Sequence, residues 1–495
     1  MLFNSFEFLI FFPIVTIIYF IMPLKLRVYW LLAASYFFYM SWHPKYLLLI
    51  LASTVITYLS GLMINKNKEK SKIKKIILAF CVISNLGILF FFKYFNWLVE
   101  SLNILSHKFG GSDIASNLNI LLPVGISFYT FQALSYSIDV YRGTIEVERN
   151  FFRYALFVSF FPQLVAGPIE RSGNLLGQIK KMSKERMFSY ENIANGLIVM
   201  TYGLFLKMVI ADRIAILVNT VFNSYTSYGT VELAVAAIGF AIQIYCDFVS
   251  YSIIAIGAAQ VMGVTLMSNF EMPYFAESIK DFWRRWHISL STWFRDYLYI
   301  PLGGNRCSNL RKNFNLMITF LISGLWHGAN WTYIFWGGLH GAYQVIGNMT
   351  GKIREKLNDK LNVNTKCWSW KFGKVLVTFF WVTLAWIFFR STSIGNAFEY
   401  IERMFTKTNF WVLFDGSLYQ LGLPQQEWDI LIWAILTLII VDAVQYVTKK
   451  RIDLVLSEQN LWFRWIVVIG MISVIFVYGK YGPNVAAEEF IYFQF

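Results

Sequence analysis

Apolar runs recur from residue 6 to residue 479, separated by short segments in which charge collects. A helix needs about 20 mostly apolar residues, with a range of about 17–25, to cross a bilayer. Runs near that length lie at 6–23, 28–43, 46–64, 76–99, 120–141, 192–222, 231–264, 314–329, 331–348, 374–390, 430–447 and 462–479. A further stretch, 151–168, ends in Ala166-Gly167-Pro168 and reads as a segment that enters the membrane without crossing it. Non-helical backbone at such depth needs a protein or wet-cavity surround. Residues 265–313 are aromatic, basic and too polar to span simply, so an interfacial or re-entrant helix is expected there. The pattern predicts an all-α polytopic integral membrane protein of about 11–13 transmembrane and re-entrant helices, with a central cavity rather than a plain bundle. We treat 1–495 as one integral domain: N-terminal helices in 1–119, a core in 120–390, and C-terminal helices with a tail in 391–495.

Composition agrees with that pattern. The chain is 57% hydrophobic and 15% charged, against about 45–50% and about 25% in soluble domains. Disorder, a fibrous repeat and an ordinary cytosolic enzyme are thereby excluded. A net charge of +14 would suit nucleic acid, but the basic residues sit in short loops, as the positive-inside rule places them. Lys66–Lys75, Lys180–Arg186, Arg284–Lys312, Lys352–Lys374 and Lys449–Arg451 are the basic clusters, whereas loops 100–119 and 391–428 are poor in them. The alternation is consistent with twelve crossings and both termini outside the cytoplasm. The first apolar run lacks a basic leader and an Ala-x-Ala exit, so it reads as a retained helix. Cys81, Cys246, Cys307 and Cys367 are far apart, so neither a disulfide framework nor a metal site is expected.

Candidate chemistry rests on five histidines. His43 lies at a helix end and His107 in a polar loop, where an interfacial or solvated imidazole is ordinary. His287, His327 and His340 lie in or beside apolar segments, where ionisable groups mark functional sites by default. For His340 a satisfied core histidine is an equal reading. His327 lies in Ser323-Gly324-Leu325-Trp326-His327-Gly328-Ala329-Asn330-Trp331, on the order of 20 Å along a helix from the Arg311-Lys312 cluster. Small residues there permit close approach by a backbone or a ligand. His287 lies among Arg284, Arg285, Trp286, Trp293 and Arg295; if helical, Arg284, His287 and Ser291 share one face. Guanidinium groups interleaved with indoles suit a phosphorylated ligand with a planar ring, and a membrane-surface helix is the competing reading. Asp139, Asp247 and Gln132 are polar residues in apolar runs, read first as structural hydrogen-bonding partners.

The stretch Trp283-Arg284-Arg285-Trp286-His287-Ile288-Ser289-Leu290-Ser291, running on to Phe294-Arg295-Asp296-Tyr297-Leu298-Tyr299-Ile300-Pro301-Leu302-Gly303-Gly304-Asn305, precedes the His327 motif by about 40 residues. Together these stretches resemble the membrane-bound O-acyltransferase family, nearest its bacterial alginate and peptidoglycan O-acetyltransferase branch. Met1-Leu2-Phe3-Asn4-Ser5, Gly125–Gln132, Phe161–Ile169 and Tyr245-Cys246-Asp247-Phe248 support it, and the likeness runs nearly end to end. The resemblance implies a ring of these helices around a central tunnel through the membrane, in a bacterial cytoplasmic (inner) membrane enzyme without a resident cofactor, with His327 as the central histidine and His287 as the second polar residue. It implies acetyl-CoA as acyl donor near Arg284, Arg285, Arg295, Trp286, Trp326 and Asn330. It also implies an exported cell-envelope polysaccharide as acceptor and an extracytoplasmic partner protein of the SGNH-hydrolase type.

The last residues, Phe490-Ile491-Tyr492-Phe493-Gln494-Phe495, are similar to the terminal motif of the small partner protein in teichoic acid D-alanylation. By that likeness Tyr492 relays the acyl group; a tail docked only for packing is the alternative. Two other functions stay open. A D-alanyl, protein or lipid acyltransferase would keep the fold. A transporter would show matched broken segments in its two halves, and none is found.

Overall fold

The computed structural model describes residues 1–118, 120, 122–165, 167–481 and 490, and every regular element among them is helical. Seven helices are long and apolar enough to cross a membrane: Pro44–Lys66, Ser71–Lys108, Tyr190–Asn223, Thr230–Val261, Trp368–Arg390, Gln425–Thr448 and Leu461–Tyr478. The chain is an all-α, multi-pass membrane protein. The other five expected spans are shorter or more polar than a simple crossing. Phe6–Ile21, Arg27–Met40 and Ile126–Arg142 have 16, 14 and 17 residues; fourteen residues rise only about 21 Å against a core of about 30 Å. Asn309–His327 and Trp331–Lys360 are long, but Arg311, Lys312, Asn315, Gln344 and Asn348 make them too polar. Among the described residues Leu461–Tyr478 is mostly exposed, with Ile475 its one buried side chain, as suits a helix in contact with lipid.

The chain groups into two compact units, Met1–Met200 with Ser252–Met267, and Thr201–Tyr251 with Ser268–Phe495. In the first, Leu47–Lys66 crosses Ile126–Arg142 so closely that a Cβ on Gly61 would lie 2.7 Å from the Tyr136 ring. Buried polar side chains bind its apolar helices together, as bundles without water require. Ser53 donates to Asn85 at 2.6 Å, and the Tyr154 hydroxyl donates to Thr57 at 2.7 Å. Phe151–Ser159, expected to enter without crossing, is a buried nine-residue helix; Ala166 at the end of that stretch lies outside the described residues. Gln132 donates to the Phe157 carbonyl at 2.5 Å, and Ser172 donates to Asp139 at 3.3 Å.

The second unit is built on the hairpin of Asn309–His327 and Trp331–Lys360. Its helices approach backbone to backbone: a Cβ on Gly324 would meet the Tyr333 carbonyl oxygen at 2.2 Å, and one on Gly337 the Phe320 carbonyl oxygen at 2.3 Å. The small residues flanking His327 are thus spent on helix packing rather than on room for a ligand. Beside the hairpin stands a core of indoles. Trp336 stacks on Trp386 at 5.5 Å, and Trp283 meets Trp336 edge-on at 5.7 Å.

Gly337→Ala forces the Phe320 backbone aside and lowers stability by about 1–3 kcal/mol. Gly351→Ala, with nothing within 4 Å of the added carbon, leaves stability equal or slightly higher. Thermal unfolding of the two purified variants checks the contrast, and equal losses would contradict the close-packed hairpin.

Candidate active site

The segment expected as one helix around His287 is two. Ile279–Arg285 ends at Trp286 in extended backbone, and Ile288–Phe294 starts after His287, which takes the left-handed conformation at φ 45°, ψ 53°. Positive φ is strained for a residue with a Cβ, and held strain of this kind clusters at functional sites. Asn269 pins the restart. Its side-chain oxygen accepts from the Ser289 hydroxyl at 2.6 Å and from the Ser289 amide at 3.3 Å, and its carbonyl accepts from the Ile288 amide at 2.9 Å.

The break turns His287 away from the face predicted for it. Its fully buried ring meets the edge of Phe248 at 4.6 Å and lies 6.0 Å from Trp326 and 6.3 Å from His327, centre to centre. His327 is the last residue of its helix, 3% exposed, with ring centres of Trp326, Trp336 and Phe389 at 5.0, 5.1 and 5.6 Å. The chain leaves it through Gly328 in extended backbone, and Asn330 caps the next helix by accepting from the Thr332 amide at 3.0 Å. Two imidazoles from different elements therefore share one aromatic chamber, with Trp326 against both. His340 is held as a core residue: the Trp283 indole N–H donates to its Nδ1 at 3.2 Å.

Arg284 and Ser291, without His287, line a separate cavity of about 300 Å³. Lys280, Arg284, Arg295 and Lys312 supply four cations to its wall; Trp283, Phe294, Phe320 and Tyr299 supply aromatic surface, and Asn305, Gln344 and Asn348 polar groups. No carboxylate lines it among the described residues. Arg295 is paired with Asp296 at 2.7 Å, whereas Lys280, Arg284 and Lys312 have no carboxylate partner among the described residues. Leu316, Thr319, Phe320 and Ser323 form one stripe of the cavity wall. That stripe points along the helix to His327, one turn beyond Ser323. Such a wall can hold a polyanionic ligand with a ring system while its far end reaches toward an imidazole.

Other predicted residues lie apart from this cavity. Arg285 bonds Asp281 at 3.0 Å and stands over the Tyr446 ring. Trp286 is packed among Phe270, Phe282 and Trp386. Asn330 serves as a helix cap whose amide donates to the Thr392 carbonyl at 3.3 Å. Tyr492 lies outside the described residues. Lys280, Lys312, Gln344 and Asn348 were not singled out as ligand-binding residues, because they come from three elements that sequence spacing does not join.

With this geometry in hand, comparison with known proteins is decisive. Residues 146–389 match the sequence profile of the membrane-bound O-acyltransferase family. A probable alginate O-acetylase of Pseudomonas aeruginosa is 40% identical over 82% of this chain and 75% of its own length. The chain belongs to the membrane-bound O-acyltransferase family. It falls in the alginate and peptidoglycan O-acetyltransferase branch: a peptidoglycan O-acetyltransferase of Helicobacter pylori is 36% identical over 76% of this chain and 73% of its own. A teichoic acid D-alanyltransferase of Bacillus subtilis is 27% identical over 48% and 62%. The protein is an O-acyltransferase, and the transporter alternative falls away.

Elsewhere in this unit a buried ion cluster accompanies a π-helical stretch, Leu206–Ala211. Lys207, 3% exposed, lies 2.7 Å from Asp212 and 2.8 Å from Asp247. Asp247 adjoins Phe248, which walls His287. A lysine inside the apolar run 192–222 was the available signal for it.

Lys207→Met leaves two carboxylates facing each other in the interior and destabilises the protein by about 3–5 kcal/mol. Neutralising all three positions (Lys207→Met, Asp212→Asn, Asp247→Asn) recovers most of that loss in the same unfolding assay. Failure of the triple variant to recover would show that the charges are not the cause.

Proposed function

We propose that this O-acyltransferase takes an acetyl group from acetyl-CoA on the cytoplasmic side of a bacterial inner membrane and delivers it for O-acetylation of an exported cell-envelope polysaccharide. One observation carries the reading: a cationic, aromatic cavity whose wall runs toward His327, which shares a buried chamber with His287. The printed activities of the relatives, alginate and peptidoglycan O-acetylation, favour a polysaccharide acceptor, and the D-alanyl relative matches less of the chain at lower identity.

In this reading Arg284, Arg295, Lys280 and Lys312 hold the donor's phosphates, and the aromatic wall takes its ring. The thioester arm follows the Thr319–Ser323 stripe toward the histidines through a tunnel. His327 removes the proton from the attacking hydroxyl, oxygen adds to the thioester carbonyl, and the carbon–sulfur bond breaks. The proton on His327 passes to the departing thiolate, so the products are an O-acetyl ester and a free thiol. His287 steadies the negative charge that gathers on the carbonyl oxygen.

Tyr492 is the first acceptor and passes the group to an extracytoplasmic partner of the SGNH type. Phe490 supports this. It is fully buried, stacked 4.3 Å from Tyr251 and 5.9 Å from Phe248, the ring that faces His287. Two residues of chain reach at most about 7 Å beyond it.

The test is labelled acetyl transfer in proteoliposomes carrying the full-length protein. His327→Ala lowers turnover by about 10²–10⁴-fold. Arg284→Gln and Lys312→Gln raise KM for the donor, most at low salt and less as salt screens the wild-type attraction, with kcat retained, while Arg285→Gln leaves KM unchanged. Tyr492→Phe abolishes acetyl on the terminal peptide, read by mass spectrometry, and unchanged delivery to the acceptor would remove the relay. Activity that survives His327→Ala would remove the mechanism.

A further inference from the structure

The π-helical stretch at Leu206–Ala211 changes which backbone groups are bonded. Widening the turn displaces carbonyls from their usual helical partners, and inside an apolar helix such groups must be satisfied by something else. Here the partners come from the chain's C-terminal side. The Lys480 amide donates to the Met208 carbonyl at 2.9 Å. Arg213, buried, donates to the Val209 carbonyl at 2.5 Å and to the Tyr478 carbonyl at 2.7 Å.

The same two cations grip one carboxylate. Arg213 Nε lies 2.6 Å from one oxygen of Glu427, and Lys480 Nζ lies 2.8 Å from the other. Glu427 stands in the first turn of Gln425–Thr448, where the helix dipole favours a negative charge. Three elements meet at this carboxylate: the helix that follows the π-helical stretch, the start of Gln425–Thr448, and the chain just after the last span. Ten residues on from Lys480, Phe490 is seated against Tyr251 and Phe248. Lys480 and Phe490 are thus each held by side chains or backbone of this unit.

We propose that Arg213, Glu427 and Lys480 form a clamp that holds the chain just after the last span, with the π-helical carbonyls as its bed; Phe490 makes a second contact beside the histidine chamber. These are positioning residues: none touches a reacting atom. The catalytic consequence rests on the acyl relay through Tyr492, whereas the clamp itself does not.

Hydrogen exchange by mass spectrometry on the protein in nanodiscs reads the clamp at the Gly479 and Lys480 amides. Lys480→Met and Glu427→Ala each raise exchange there about tenfold and leave peptides of 279–299 and 309–327 unchanged; Lys480→Arg restores protection. Phe490→Ala keeps the Lys480 amide protected. Should Glu427→Ala raise exchange throughout the protein, Lys480→Met decides, because Lys480 lies outside the last span. Unchanged exchange at these amides in Lys480→Met overturns the clamp, whatever acetyl transfer does. Loosening with acetyl delivery intact upholds the clamp and removes only its link to catalysis.

Discussion

A backbone amide or carbonyl that loses its helical partner in an apolar surround has no water to replace it, and every such group must be bonded again inside the protein. This constraint organises the molecule. At three helix breaks the repair is made by identifiable groups. Asn269 bonds the restart after His287, Asn330 caps the helix after Gly328, and Arg213 with the Lys480 amide takes up carbonyls of the π-helical stretch. The first two breaks release His287 and His327 from regular helix and let their rings enter one chamber. The two imidazoles and the backbone irregularity coincide because the irregularity aims the side chains.

Charge is divided from the imidazoles. The cations of the cavity wall are gathered at its lining, while the histidines are enclosed by Trp326, Trp336, Phe248 and Phe389. A guanidinium beside either ring would make that ring harder to protonate. Distance along the Asn309–His327 helix separates the two: the stripe ending at Ser323 stops one turn short of His327.

The buried ion pairs serve the same end by different means. Lys207 between Asp212 and Asp247, and Glu427 between Arg213 and Lys480, cost desolvation and add little net stability unless every member is matched. Each joins separate elements: Lys207 and Asp212 to Asp247 beside Phe248, and Arg213 to Glu427 and Lys480.

Apolar periodicity and loop charge determined the class of this protein by themselves, since bilayer thickness and hydration energy act on any chain alike. Seven of the twelve runs read from that pattern are helices long and apolar enough to cross. The histidine motifs were legible for a related reason: an imidazole or a paired basic-indole stretch inside apolar sequence is costly and therefore conspicuous. The helix expected through Arg284, His287 and Ser291 was misplaced, because a single left-handed residue reverses which face a side chain joins, and residue spacing carries no dihedral angle. The small residues beside His327 read as room for a backbone or a ligand, and the structure places Tyr333 against Gly324 and Gly328. The meeting of Lys280, Lys312, Gln344 and Asn348 at one cavity, and of Arg213, Glu427 and Lys480 at one carboxylate, belongs to the tertiary structure. These groups are far apart in the chain, and only the packing of helices against one another brings them within bonding distance.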